Sequence, residues 1–174
     1  MTKRFPAVVA GAVLVLAGCG ADPTLNNSGT ATIGGGPGGS VTVTSVASYD
    51  STNSTLGFAI VNATPGAGGT TLAVAMVLNG ASLQTGTFTS ANVKSAGSTV
   101  QTGSGAATKV WAQYYKQNGL ADQGSFSLTI SDTGSQITAS SGAAWPSPHG
   151  SFTGTLKPAT SSGASGDVTL NVTF

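Results

Sequence analysis

From Val41 to Phe174 apolar side chains recur at every second position, and this period of two most restricts what the chain can fold into. Val41 and Val43; Leu56, Phe58 and Ile60; Leu72, Val74, Met76 and Leu78; Phe126, Leu128 and Ile130; and Val168, Leu170, Val172 and Phe174 alternate with Thr, Ser, Ala, Gly or Asn. Successive side chains of an extended backbone point to opposite faces, so this alternation marks strands buried on one face. Weaker strands are expected near Gly86 to Thr89, Lys109 to Lys116, Gln136 to Ala139 and Gly150 to Lys157, about nine in all, and no convincing helix is visible. The breaks carry turn residues, among them Thr64-Pro65-Gly66, Asn79-Gly80 and Asp132-Thr133-Gly134. The predicted fold is all-β: an antiparallel β-sandwich of about nine short strands, with a closed barrel as second choice. Residues 41–174 suffice for one core and are too few for two.

Composition excludes several function classes. Charged residues make up 6% of the chain, Glu is absent, and Lys3, Arg4, Lys94, Lys109, Lys116 and Lys157 are scattered. Nucleic-acid binding needs clustered cations that neutralise phosphates, so no nucleic acid is expected as a partner. With one Cys and one His a zinc site lacks ligands, no D-x-D-x-D-G calcium spacing occurs, and neither metal nor cofactor is expected. Gly34-Gly35-Gly36-Pro37-Gly38-Gly39 formally fits G-x-G-x-x-G, but Pro37 and the Val41-Thr42-Val43-Thr44 run leave no room for the helix that a dinucleotide site requires.

Catalytic chemistry is sparse. His149 is the single histidine, and neither G-x-S-x-G nor S-x-x-K occurs. Asp50, Asp122, Asp132 and Asp167 each sit in or beside an expected turn, where a carboxylate bonds to nearby amides. Aromatic residues offer the better candidates for contact. In "KVWAQYYKQNG", residues 109–119, Trp111 and Tyr115 share one strand face, expected to be core, and Tyr114 takes the other. In "SGAAWPSPHG", residues 141–150, Pro146 and Pro148 deny donors to a ladder and place Trp145 and His149 in a stiff loop at one end of the fold. Candidate ligand contacts are therefore Trp145, His149 and Tyr114.

The first residues read as an export signal. Lys3 and Arg4 precede the apolar run Ala7 to Leu16, which at about ten residues is far short of the roughly 20 that cross a bilayer as a helix. Leu16-Ala17-Gly18-Cys19 resembles the lipobox of bacterial lipoproteins, with cleavage after Ala21 as the ordinary secretory alternative. The resemblance implies that Cys19, the single cysteine, carries a diacylglyceryl group and becomes the mature N-terminus, with palmitate-like chains holding the protein on the membrane. Gly20 lacks the aspartate of inner-membrane retention, which favours the outer membrane. The expected organisation is signal peptide 1–18, lipidated Gly/Ser/Thr-rich tether 19–40, and sandwich domain 41–174. "LNGASLQTGTF", "GSFSLTI" and "GSFTGTL" resemble a loose class of β-sandwich lipoproteins of unknown function. The expected role is a non-catalytic interaction or structural module of the envelope, with polysaccharide or protein as partner. A carbohydrate-binding module is the alternative, and a hydrolase using His149 comes third.

Overall fold

A computed structural model describes residues 28–50, 55–62, 65–78, 83–117, 119–134, 136–138, 144–160 and 162–174. The expected signal segment, Cys19 and Gly20 lie outside them. In chain order the strands are β1 Ser28–Gly34, β2 Gly39–Asp50, β3 Thr55–Val61, β4 Thr71–Leu78, β5 Gly86–Phe88 and β6 Val93–Thr102. They continue with β7 Lys109–Tyr115, β8 Ser125–Asp132, β9 Gln136–Thr138, β10 Ala144–Pro146, β11 His149–Pro158 and β12 Val168–Thr173. The nine expected strands are present and β1, β6 and β10 are added. Among the described residues helix is limited to 3-10 turns at Ala67–Gly69 and Gly105–Ala107.

The all-β, antiparallel expectation holds, but the architecture is a barrel. β1 pairs with β2, then β3, β4, β6, β7, β11 and β12 follow as neighbours, and β12 returns to β1. A sandwich keeps two sheets with free edges, whereas Ile33 of β1 pairs with Gly39 of β2 on one side and Leu170 of β12 on the other. The expected sandwich is corrected on that ground, since ring closure leaves those strands no edge. β8 pairs with β11 and β5 with β8, so these two strands branch from the closed ring of pairings while β8 still turns Leu128 and Ile130 into the common core, and β9 and β10 form a separate two-stranded sheet.

Eight strands enclose a space that side chains can just fill. Phe58, Ile60, Leu78, Leu128, Ile130, Phe152, Leu156 and Leu170 are each less than 2% exposed and fill it. Phe174, beyond β12, packs its ring 5.3 Å from that of Phe58. Inward Ser98 donates to Gln113 Oε1 at 3.5 Å, so the polar pair inside the barrel is satisfied within it.

The boundary of the tether moves. Residues 28–40, expected within it, contain β1 and the start of β2, and Ala31 and Ile33 are 0% and 2% exposed. Thr30-Ala31-Thr32-Ile33 keeps the period of two on small residues, and ladders on both sides supply the pairing that a lone segment would lack. The Gly-rich stretch is the β1–β2 turn: Gly38 N–H donates to Gly35 C=O at 2.9 Å, and Gly35, Gly36 and Gly38 hold positive φ. Gly36 lies against the Trp111 indole, where a Cβ would come within 3.0 Å of the ring. The indole N–H donates to Gly166 C=O at 3.0 Å, closing the barrel end formed by the β1–β2, β3–β4, β6–β7 and β11–β12 connections.

The opposite end is sealed by Ser147 and Pro148, both buried. Ser147 Oγ donates to Ser45 C=O at 2.8 Å, and Ser45 Oγ donates to Pro148 C=O at 2.6 Å. Pro146, expected in a loop, ends β10 instead, because a two-stranded ribbon tolerates a residue without an N–H at its edge.

Candidate functional site: a trough where the sheet branches

The β-sheet divides along β11. Its residues His149 to Thr155 pair with β8, whereas Lys157 and Pro158 pair with Ala112 and Trp111 of β7. β7 is released from β11 at this level and turns back on itself: Gln123 N–H donates to Tyr114 C=O at 2.9 Å, and Tyr114 N–H donates to Gln123 C=O at 3.2 Å. The Asp122 carboxylate accepts from the Lys116 N–H at 2.7 Å and closes that turn, with Lys116 at φ 48°. Gly124, at φ 73°, then lets the chain cross close to β11. A Cβ there would lie 2.3 Å from Thr155 C=O.

Two concavities of about 270 and 460 Å³ open where the strands part, and they adjoin at Ser125 and Phe126; together they are called the trough. The smaller arm runs past Gln113, Tyr114, Tyr115, Asp122 and Gln123. The larger runs over the outer face of β8, β11 and β12 past Ser127, Thr153, Thr155, Thr169 and Asn171, with Gly154 and Leu170 at its base. Half-buried Phe126, on the core-facing side of β8, stacks on Phe152 at 6.4 Å and lies edge-on to Tyr115 at 6.4 Å. The Lys116 ammonium lies 4.9 Å from the centroid of the Tyr115 ring.

Of the three candidate contacts, Tyr114 alone is among the described residues lining the trough. It is 9% exposed, and burial pushes its hydroxyl above the usual 10.0. His149 begins β11 opposite Asp132, and its C=O accepts from Ser131 Oγ at 3.2 Å. Trp145 pairs through its backbone with Ile137 in β10, and its side chain lies outside the described residues. Trp111 is in the core as expected, 2% exposed. Asp132 accepts from Gly134 N–H at 3.0 Å, the turn role expected for it. The described residues contain no group of three or more His, Cys, Asp or Glu side chains placed to hold a metal ion.

Sequence reasoning missed Thr153, Thr155, Thr169 and Asn171. Their signal was present as the outward half of the alternation in "GSFTGTLK" and "VTLNVTF", and as the recurrent Gly-Thr/Ser-Phe phrase at residues 86–88, 124–126 and 150–152. Those three phrases come to lie on adjacent strands, β5, β8 and β11, with Thr87, Ser125 and Ser151 outward and the rings of Phe126 and Phe152 stacked. Comparison of the chain with protein-family models, with curated proteins and with solved structures finds no match.

Proposed function

We propose that the protein is a lipid-anchored lipoprotein of the bacterial envelope, with the outer membrane favoured, and that its barrel binds a partner without catalysis. The observation that carries the binding role is the trough. The barrel interior is filled by its own side chains, so a ligand meets this protein on the outside, and there the two adjoining concavities gather Tyr114, the Asp122 carboxylate, the amides of Gln123 and Asn171 and the hydroxyls of Ser125, Thr153 and Thr155. Concave sites with a few convergent polar groups beside apolar ones are where ligands bind.

The anchor rests on the residues around Cys19. β1 begins at Ser28, nine residues further on, so the connection spans at most about 30 Å. The start of β1 lies at the same barrel end as Ser147 and Phe174, opposite the Gly36, Gly68, Gly105 and Ser165 loops, so a chain anchored through Cys19 would present those loops away from the membrane. Two experiments test the proposal. Cys19→Ser abolishes labelling by a clickable fatty acid and leaves uncleaved precursor, because a hydroxyl does not replace the thiolate as acyl carrier. Equal labelling of the variant refutes the anchor. Retention of the full chain on isolated envelope fragments falls at least tenfold in Thr153→Trp, which fills the trough from an exposed position. Unchanged retention refutes the trough as the binding site.

A further inference from the structure

We propose that, before any cleavage at Cys19, the apolar run Ala7–Leu16 folds back onto the outer face of β3, β4 and β6 and covers it. This contact is separate from the trough and does not depend on it.

The outside of the barrel has two halves. On β11, β12 and β1 the outward side chains are hydroxyls and an amide, and Thr30, Thr32, Ser151, Thr153 and Asn171 are exposed. Across β3, β4, β6 and β7 strand register sets Ala59, Ala75, Gly97 and Tyr114 opposite one another, with Val61 and Ala73 in the next row. None of these carries a charge. Small side chains leave a smooth apolar surface there, close to which another segment of chain can lie.

Burial shows that this half does not face water. Along β12 buried and exposed residues alternate strictly from Val168 to Thr173, the pattern of a sheet with one face solvated. On β4 every residue from Leu72 to Leu78 is buried or half-buried, and outward Ala59 and Ala75 are each 5% exposed. Gly97 and Tyr114 are buried as well. Such strands read as packed on both faces, yet among the described elements the main neighbours of β3 and β4 are their flanking strands in the same sheet.

The cover therefore comes from elsewhere in the chain. The internal stretches outside the described residues, 51–54, 63–64, 79–82, 118, 135, 139–143 and 161, contain no apolar residue larger than Ala. The stretch before Ser28 holds Ala7–Leu16, which has no charge and is built of Ala, Val, Gly and Leu. An apolar run of this length is too short to span a bilayer and is of a size found buried against protein. Its position fits. Ser28 pairs with Thr44 of β2, and Thr44 pairs with Val61 of β3, so the chain enters the barrel beside this face. From β1 to β4 is three strand spacings, about 14 Å, whereas residues 17–27 reach at most about 40 Å. As a helix the run would be about 15 Å long and 10–12 Å across, matching the roughly 10 Å from β3 to β6. The contact keeps two apolar surfaces out of water, and cleavage at Cys19 removes the cover.

The test uses the full chain with Cys19→Ser, which keeps residues 1–18 attached and leaves no native cysteine, in detergent-free buffer. Val13→Cys is expected to join Ala75→Cys through a short bismaleimide and not to join Thr153→Cys on the hydroxyl half. Ala75→Arg places a charge in the face, and elastase should then cut within Ala7–Leu16 at least tenfold faster, with the near-ultraviolet circular dichroism unchanged. Should Ala75→Arg fail to fold, the cross-link decides. No link at Ala75, or equal linking at Ala75 and Thr153, overturns the proposal. Joining of two chains through Ala75→Cys alone assigns the cover to a second copy and overturns it too. Absence of the link while the wild type is acylated and cut leaves the anchor standing, and the link in a chain that is never cut leaves this contact standing without the anchor.

Discussion

Replacing Ile33 by Ala tests whether the Gly-rich segment before Val41 belongs to the barrel. Ile33 is 2% exposed and faces the core from β1, between β2 and β12. Burying an Ile side chain contributes roughly 1.5 to 3 kcal/mol, and truncation adds the cavity left behind, so Ile33→Ala is expected to cost about 2 to 5 kcal/mol. Thr32, next to it, points outward and is exposed. Thr32→Ala should change stability by less than about 0.5 kcal/mol, as surface changes do. Had residues 19–40 been tether throughout, both changes would be silent. Urea unfolding followed by tryptophan fluorescence measures the difference, read as a shift in midpoint at constant slope. Equal, small effects at the two positions would refute the placement of β1 and reopen the barrel between β2 and β12. A chain starting at residue 40 loses both ladders of β1 and is expected to aggregate through the two exposed edges, visible as oligomers on size exclusion.

Tyr114 gives a pH signature. Burial raises its pKa in the folded state, so the folded chain holds the proton longer than the unfolded one, and stability is full below the ordinary value of 10.0. As pH climbs from there through the raised folded value, stability falls, and Tyr114→Phe should remove that part of the decline in thermal melts taken above pH 10. The Lys157–Asp167 pair is about half exposed on both sides, so Lys157→Met should alter stability by less than about 1 kcal/mol, with little dependence on salt. If the barrel stands on its anchor as proposed, a fluorophore at Gly163 in the β11–β12 connection is quenched less by spin-labelled lipid than one at Thr133 in the connection after β8. The reverse order would invert the orientation.

The sequence by itself determined the secondary structure, because alternation is a local property: the five strong runs and the four weaker ones all appear as strands. It failed where the period was broken or diluted. In β6 the inward residues are Val93, Ala96, Ser98 and Val100, and a register irregularity opposite Val77 and Leu78 throws the alternation off by one. In β1 the inward residues are only Ala31 and Ile33, set among glycines, and their burial depends on partners more than 130 positions away in β12.

The residue chemistry of the trough was likewise legible only in half. Period two places Thr153, Thr155, Thr169 and Asn171 on the face opposite the core residues Leu156, Leu170 and Val172, yet that assignment cannot say which outward residues become neighbours. Adjacency was decided by ring closure, which set β12 between β11 and β1, and by the branch at β11, which brought β8 beside it and parted β7 from it. Closure and branching are long-range pairings. A strand's own residues specify which face is buried, but which strand it meets depends on the competition among all edges for hydrogen-bonding partners, and only the folded chain resolves that competition.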